Sequence, residues 1–166
     1  LGRNKRIVFF DTLLGGLSIE EVEAVLAHEL GHFRLHHVRK RLISTALLSL
    51  GGLALLGWLQ QQPWFFSGLG LSQPSAAGAL LLFLITVPVF GLFFQPLGSL
   101  IMRRHEYQAD AYAVAHSGAT ALISALVKLY RDNASTLTPD PLYSAFHDSH
   151  PPAPLRIARI TRLAEG

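Results

Sequence analysis

Residues 25–33 read Val-Leu-Ala-His-Glu-Leu-Gly-His-Phe, which places His28 and His32 four residues apart with Glu29 beside the first. On an α-helix this spacing is a rotation of about 40° and a rise of about 6 Å, so both imidazole rings can reach one metal ion. The pattern is H-E-x-x-H, and shuffling this composition produces only about 0.01 matches. Zinc takes two imidazoles, and a further protein ligand and a water complete its tetrahedron. The sequence therefore predicts a zinc site.

The residues before the motif predict the helix that carries it. Ser18 and Glu21 form the pattern of a capping box, which starts a helix at Ile19. Apolar and motif residues then recur every three to four positions, and no proline interrupts the chain before Arg41. We expect one zinc-motif helix over residues 18–41. This helical context favours the metal site over the alternative of two ordinary core histidines.

The composition indicates a membrane protein. Half of the 166 residues are apolar and only 15% are charged, and residues 42–102 contain no Asp, Glu, Lys or Arg. Residues 42–59 would form about 27 Å of helix, enough to cross a hydrocarbon layer, and residues 76–102 form a second apolar segment. The prediction is a two-span transmembrane hairpin; the alternative is a soluble protein with two buried helices.

The charged residues indicate an orientation. Basic clusters at Arg39–Arg41 and at Arg103 and Arg104 flank the apolar block, whereas the loop between the spans is uncharged. By the positive-inside tendency, the motif side faces the cytoplasm of a multi-pass protein, in the inner membrane of a bacterium or the endoplasmic reticulum of a eukaryote. The basic residues form no patch with interleaved aromatic residues, so the net charge of +3 does not indicate nucleic acid. No cysteine is present, which excludes disulfides.

The fold class predicted is all-α, with zincin-like active-site helices, the transmembrane hairpin and one short N-terminal strand. Residues 1–17 contain the strand, Ile7–Phe10, followed by a turn; it either pairs with an extended substrate or is an ordinary hairpin strand. Residues 103–166 form a helical part that includes an irregular segment and a short final helix. We expect the whole of residues 1–166 to be one domain.

The third ligand is expected after the hairpin. Position 38, where a metzincin has its third histidine, is Val38, and His36 would lie about 12 Å from His28 on a straight helix. Because the hairpin returns the chain to the motif side, we predict Glu106 as the ligand. Asp110, one turn further, can accept the other ring N–H of a ligating histidine. The alternative is a solvated acidic face. The remaining histidines are interpreted as boundary or structural residues: His36, His37, His105 and His116.

Five blocks in order cover nearly the whole chain: residues 5–14, 26–32, 104–110, 141–145 and 149–152 with Arg156. With these blocks the chain resembles the membrane-embedded gluzincins of the type I CAAX prenyl endopeptidase family, to which the HtpX peptidases are related. Two departures from the family pattern are Leu155, where an acidic residue is usual, and the pair His147 and Asp148. Members have further spans upstream, so the resemblance implies a C-terminal catalytic part of a longer protein.

The resemblance assigns roles to seven residues: zinc ligation by His28, His32 and Glu106, general base catalysis by Glu29, support of the ligands by Asp110, and positions near the site for His150 and Arg156. It also implies that His150 donates a hydrogen bond to the oxyanion. In the expected chemistry the metal stabilises this developing charge, and either His150 or a tyrosine such as Tyr107 supplements it.

The expected function is zinc-dependent hydrolysis of peptide bonds, with one Zn²⁺ per chain and a CAAX prenyl protease-like specificity. The expected partners are a peptide or protein substrate, in particular a prenylated C-terminal CAAX peptide, and membrane lipid. One alternative is an HtpX-like quality-control protease that cuts unprenylated membrane proteins. The other is a non-catalytic zinc-binding membrane module, against which the intact Glu29 argues.

Overall fold

The computed structural model describes residues 15–132 and 140–165 of the chain. Every regular element in these two ranges is a helix, which confirms the predicted all-α class. The predicted strand Ile7–Phe10 lies outside the described residues. The helices are α1 (Ile19–Arg34), α2 (His37–Leu59), α3 (Pro63–Gly68), α4 (Ala76–Ser117), α5 (Ala119–Asp132), α6 (Pro141–His147) and α7 (Ala153–Glu165).

Helix α1 begins where the capping box predicts. The Ser18 side chain accepts a hydrogen bond from the backbone N–H of Glu21, and the Glu21 carboxylate accepts one from the backbone N–H of Ser18 at 2.7 Å. Both N–H groups would otherwise lack a partner at the helix end. The reciprocal pair therefore fixes the first turn from which the motif is counted.

The predicted continuous helix over residues 18–41 is wrong, because α1 ends at Arg34 and a new helix begins at His37. The Leu35 N–H closes the last turn on the Gly31 carbonyl, and the His36 N–H donates to the Phe33 carbonyl. His36 then adopts φ 58°, in the left-handed region that interrupts a right-handed helix. The sequence gives no warning, since neither glycine nor proline occupies this turn.

The chain divides into two compact units, and the first combines Leu1–His37 with Leu97–Gly166. In the described part of this unit, α1 packs against α5, and α5 packs against α7. Half of the buried core residues are alanines, whose small side chains let the helices approach closely. The buried core residues are Ala24, Ala27, Ala113, Leu122, Leu126 and Ile160.

The second unit, Val38–Pro96, contains most of α2, all of α3 and the first half of α4. Its core is a cluster of Phe65, Phe66, Ala79 and Leu82. Helix α4 continues through Pro88 and Pro96 without a break.

Two helices, α2 and α4, are long and apolar enough to cross a membrane. In their most apolar 18-residue windows, 0% and 6% of the residues are buried. Phe93, for example, is 73% exposed. The two helices are therefore not buried within the described chain, and their exposure is the pattern of helices that face lipid or further protein.

Candidate metal centre

Three side chains converge on one point in the first unit. The Nε2 atoms of His28 and His32 are 3.2 Å apart, and the Glu106 carboxylate oxygens lie 3.7 Å from the first and 3.3 Å from the second. A tetrahedral zinc ion with ligands at about 2.0–2.1 Å separates them by about 3.3 Å. The three side chains therefore have the spacing that a zinc ion requires.

Gly31 brings the third side chain within reach of the motif. A Cβ built on Gly31 would lie 3.0 Å from the Ala109 Cα and 3.1 Å from the Tyr112 Cβ, so α1 and α4 are in backbone contact here. One turn before Ala109, Glu106 is only 4% exposed and faces both histidines. The motif glycine thus positions Glu106, a role that spacing alone did not indicate.

Asp110 supports His28 from the side away from the convergence point. Its Oδ1 lies 3.0 Å from the His28 Nδ1, and the carboxylate is fully buried. Arg156 binds both Asp110 oxygens through Nε and Nη2, a two-point fork. With its Nδ1 proton donated to Asp110, His28 presents a bare lone pair at Nε2.

Arg156 is a buried cation that remains charged. Burial alone would lower the pKa of the guanidinium, but the hydrogen bonds and charge of Asp110, together with the charge of Glu106, raise it. Its Nη1 lies 3.6 Å from a Glu106 oxygen. Arg156 therefore balances two buried carboxylates, which a neutral residue could not do.

His150 approaches the centre from the loop before α7. Its Nδ1 lies 2.9 Å from a Glu106 oxygen, and its side chain is 62% exposed. The hydrogen bond to Glu106 raises the pKa of the imidazole, although partial burial opposes this. The next residue, Pro151, accepts a hydrogen bond from the Tyr130 hydroxyl at 3.0 Å, which anchors the loop.

Glu29 opens onto a cavity of about 200 Å³ beside the convergence point. His28, Glu106, His150 and Arg156 form its polar lining, and apolar residues of α5 form the opposite wall. In the described chain Tyr107 is not part of this lining. Its ring instead lies under the Arg159 guanidinium, 4.6 Å from the ring centroid. The cavity thus combines a carboxylate, an imidazole and an apolar surface.

Sequence reasoning missed the residues behind His32. The His37 Nδ1 lies 3.1 Å from the His32 Nδ1, and the His37 Nε2 lies 3.1 Å from the Gln108 Oε1. His37 is only 4% exposed. On one continuous helix it would have pointed about 140° away from His32. Only the turn at His36 brings it back, so spacing could not reveal it.

The structure therefore brings together all seven residues to which the resemblance assigned roles. If the His28 Nδ1 donates its proton to Asp110 and the His32 Nδ1 donates its proton to His37, two nitrogen lone pairs and a carboxylate oxygen face one point. Such a donor set repels itself unless a cation lies between, and it fits zinc. The roles of these residues as ligands and catalysts stay predictions.

Comparison with known proteins identifies the family. The model of peptidase family M48 matches residues 1–164. The chain is 40% identical over 95% of its length to CAAX prenyl protease 1 homolog of Arabidopsis thaliana, and 36% identical over 98% to CAAX prenyl protease 1 of Saccharomyces cerevisiae. It covers 38% and 39% of those two proteins.

A solved structure shows the same fold. The crystal structure of S. mikatae Ste24p superimposes with a TM-score of 0.79 at 36% identity, over 93% of this chain and 38% of that one. Family membership implies a metal, and the described residues contain a group that can hold one. The match along nearly the whole chain and the shared fold lead to one conclusion: this chain belongs to peptidase family M48.

Proposed function

We propose that this chain is the catalytic part of a zinc-dependent membrane endopeptidase of the CAAX prenyl protease type. The observation that carries the proposal is the convergence of His28, His32 and Glu106 within 4.8 Å of one another, beside a cavity that Glu29 lines. A purely structural zinc site is closed, whereas a catalytic site keeps an open position. The adjoining cavity and the carboxylate on its wall support catalysis over a non-catalytic zinc-binding module.

The residues divide the chemistry between them. A bound zinc ion would supply Lewis-acid polarisation of the scissile carbonyl and acidify water. Glu29 takes a proton from the attacking water and delivers it to the leaving amine nitrogen. His150 faces the same cavity and donates a hydrogen bond to the oxygen on which charge develops. Arg156 and Asp110 keep His28 in place throughout.

The substrate class follows from the relatives and from the apolar surface. The relatives reported above are named CAAX prenyl proteases, although the chain spans only about two fifths of their length. Leu122 and Leu126 give the cavity an apolar wall, and the chain carries two helices suited to lipid. We infer a peptide or protein substrate, in particular a prenylated CAAX peptide, and lipid as the surroundings. Nucleic acid has no place in this proposal.

The charge distribution supports a location. Arg39–Arg41 and the pair Arg103 and Arg104 flank the apolar segments, and no charge lies between them. We propose a multi-pass protein whose catalytic residues face the cytoplasm, in the endoplasmic reticulum of a eukaryote or the inner membrane of a bacterium.

The test is cleavage by the full-length protein in lipid of two CAAX peptides that differ only in the prenyl group. We expect cleavage of the prenylated peptide, slower cleavage of the other, and loss of both with a chelator, restored by zinc. Preferential cleavage of unprenylated, misfolded membrane proteins would instead identify an HtpX-like quality-control protease. The absence of any chelator-sensitive cleavage would leave the non-catalytic module.

A further inference from the structure

The two motif histidines are supported differently at the ring nitrogen that faces away from the centre. His28 has a carboxylate there, Asp110, at 3.0 Å. His32 has the imidazole of His37, at 3.1 Å, and beyond it the amide of Gln108. When both imidazoles are neutral, the hydrogen-bonded chain His32–His37–Gln108 acts through the placement of its protons.

Metal binding at His32 determines every proton of that chain. If the His32 Nε2 presents its lone pair to the centre, its proton lies on Nδ1. The His37 Nδ1 must then accept, which places the His37 proton on Nε2. The Gln108 Oε1 faces that nitrogen at 3.1 Å and accepts in turn. Reversing the amide would reverse each bond and place a proton on the His32 Nε2, where it blocks a metal.

The local packing holds the chain in this arrangement. The turn at His36 returns His37 to α1, where its ring is 4% exposed. His105 stacks on it with ring centroids 4.1 Å apart and planes 11° from parallel. Gln108 lies on α4, two residues after Glu106. Helix α4 therefore supplies both Glu106 and Gln108, the last residue of the hydrogen-bonded chain.

We propose that His37 and Gln108 are positioning residues that hold His32 in the tautomer able to bind a metal. This inference rests on the proposed metal site. Partners of metal-ligating histidines typically change metal affinity by about 10- to 100-fold when removed. Both residues act on His32 through its orientation and its tautomer, because the hydrogen bonds join His32 to His37 and His37 to Gln108.

The test measures zinc affinity of the full-length protein by competition with a chromophoric chelator. In His37→Leu a side chain of similar bulk offers no acceptor, and we expect zinc binding about 10- to 100-fold weaker. Gln108→Leu should also weaken binding, whereas Gln108→Glu keeps an acceptor oxygen and should retain most of the affinity. His116→Ala is the control, since that imidazole faces the Tyr112 carbonyl on its own helix.

Thermal unfolding of the zinc-free proteins shows whether each variant folds. Should His37→Leu fail to fold, the two Gln108 variants decide the question. Weak zinc binding by Gln108→Leu and retained zinc binding by Gln108→Glu support the positioning roles of His37 and Gln108. A zinc affinity equal to that of the wild type in His37→Leu, or in both Gln108 variants, overturns these positioning roles. Wild-type protein that binds zinc but cleaves no peptide would overturn the proposed function. The positioning roles of His37 and Gln108 would not be affected by that result.

Discussion

Gly31 lies between the two motif histidines, and its missing side chain determines how closely α4 approaches α1. A Cβ built on Gly31 would lie 3.0 Å from the Ala109 Cα and 3.2 Å from its carbonyl oxygen, so the backbone of α4 would have to move. Glu106 is one turn away on the same helix. The H-E-x-x-H pattern leaves this position open. Contact with α4 is what makes glycine necessary here.

Gly31→Ala is predicted to destabilise the protein and to weaken zinc binding. Overpacking costs about 1–3 kcal/mol, more than the roughly 1 kcal/mol by which alanine improves a helix. Movement of α4 also displaces Glu106 from the histidines. The readouts are the thermal unfolding midpoint and the zinc affinity of the full-length protein.

Gly98→Ala is the matched control, because a Cβ there meets no described atom within 4 Å. It should leave zinc affinity unchanged. Zinc binding by Gly31→Ala as tight as that of the control would show that close approach of the helices is not what positions Glu106.

At the scale of elements, Glu21 joins the start of α1 to α5. One carboxylate closes the capping box and also accepts hydrogen bonds from Lys128 at 2.7 Å and Ser124 at 2.6 Å. The hydrogen bond from Lys128, then those from Ser124 and the Ser18 backbone, lower the pKa of Glu21 from 4.5 to about 2. Ionised Glu21 therefore stabilises the pairing of α1 with α5.

This lowered pKa predicts how stability depends on pH. The contribution is complete above pH 4.5, the unfolded value, and is lost as the pH falls through about 2. Wild type should be more stable than Glu21→Gln at neutral pH. This difference in stability should shrink as the pH falls from 4.5 to about 2. Unfolding of both proteins, zinc-free, across this range measures it. A difference that does not change with pH would show that charge on Glu21 is not the cause.

Local signals in the sequence predicted several elements correctly. The capping box at Ser18 and the spacing of His28 and His32 depend on one helix turn each, so residues alone reveal them. The approach of Glu106 followed from the return of the hairpin and from the resemblance. These features need no detail of side-chain packing.

What the sequence did not reveal depends on contacts between helices. The break at His36 needs a left-handed residue that no glycine announces, and the burial of His37 against His32 follows from that break. Because the sequence predicted one continuous helix, it did not reveal the hydrogen bonds from His32 through His37 to Gln108. The strand at Ile7–Phe10 lies outside the described residues and stays a prediction.

In the whole molecule, the candidate metal centre lies in one compact unit, and helices apolar enough to cross a membrane extend through both units. The centre consists of residues before Val38 and after Pro96, on either side of the apolar segments. Exposed side chains such as Leu48, at 76%, indicate lipid or further protein around α2. A water-soluble protease would not be expected to have this surface.

Zinc content and peptide hydrolysis, measured together on the full-length wild type, Glu29→Gln and Glu106→Ala, decide whether His28, His32 and Glu106 form a catalytic zinc site. We expect Glu29→Gln to keep one zinc ion per chain while hydrolysis falls by about 10²- to 10⁴-fold, the usual contribution of a general base. We expect Glu106→Ala to lose both metal and activity. Undiminished hydrolysis by Glu29→Gln, or full zinc content in Glu106→Ala, would show that they do not form such a site.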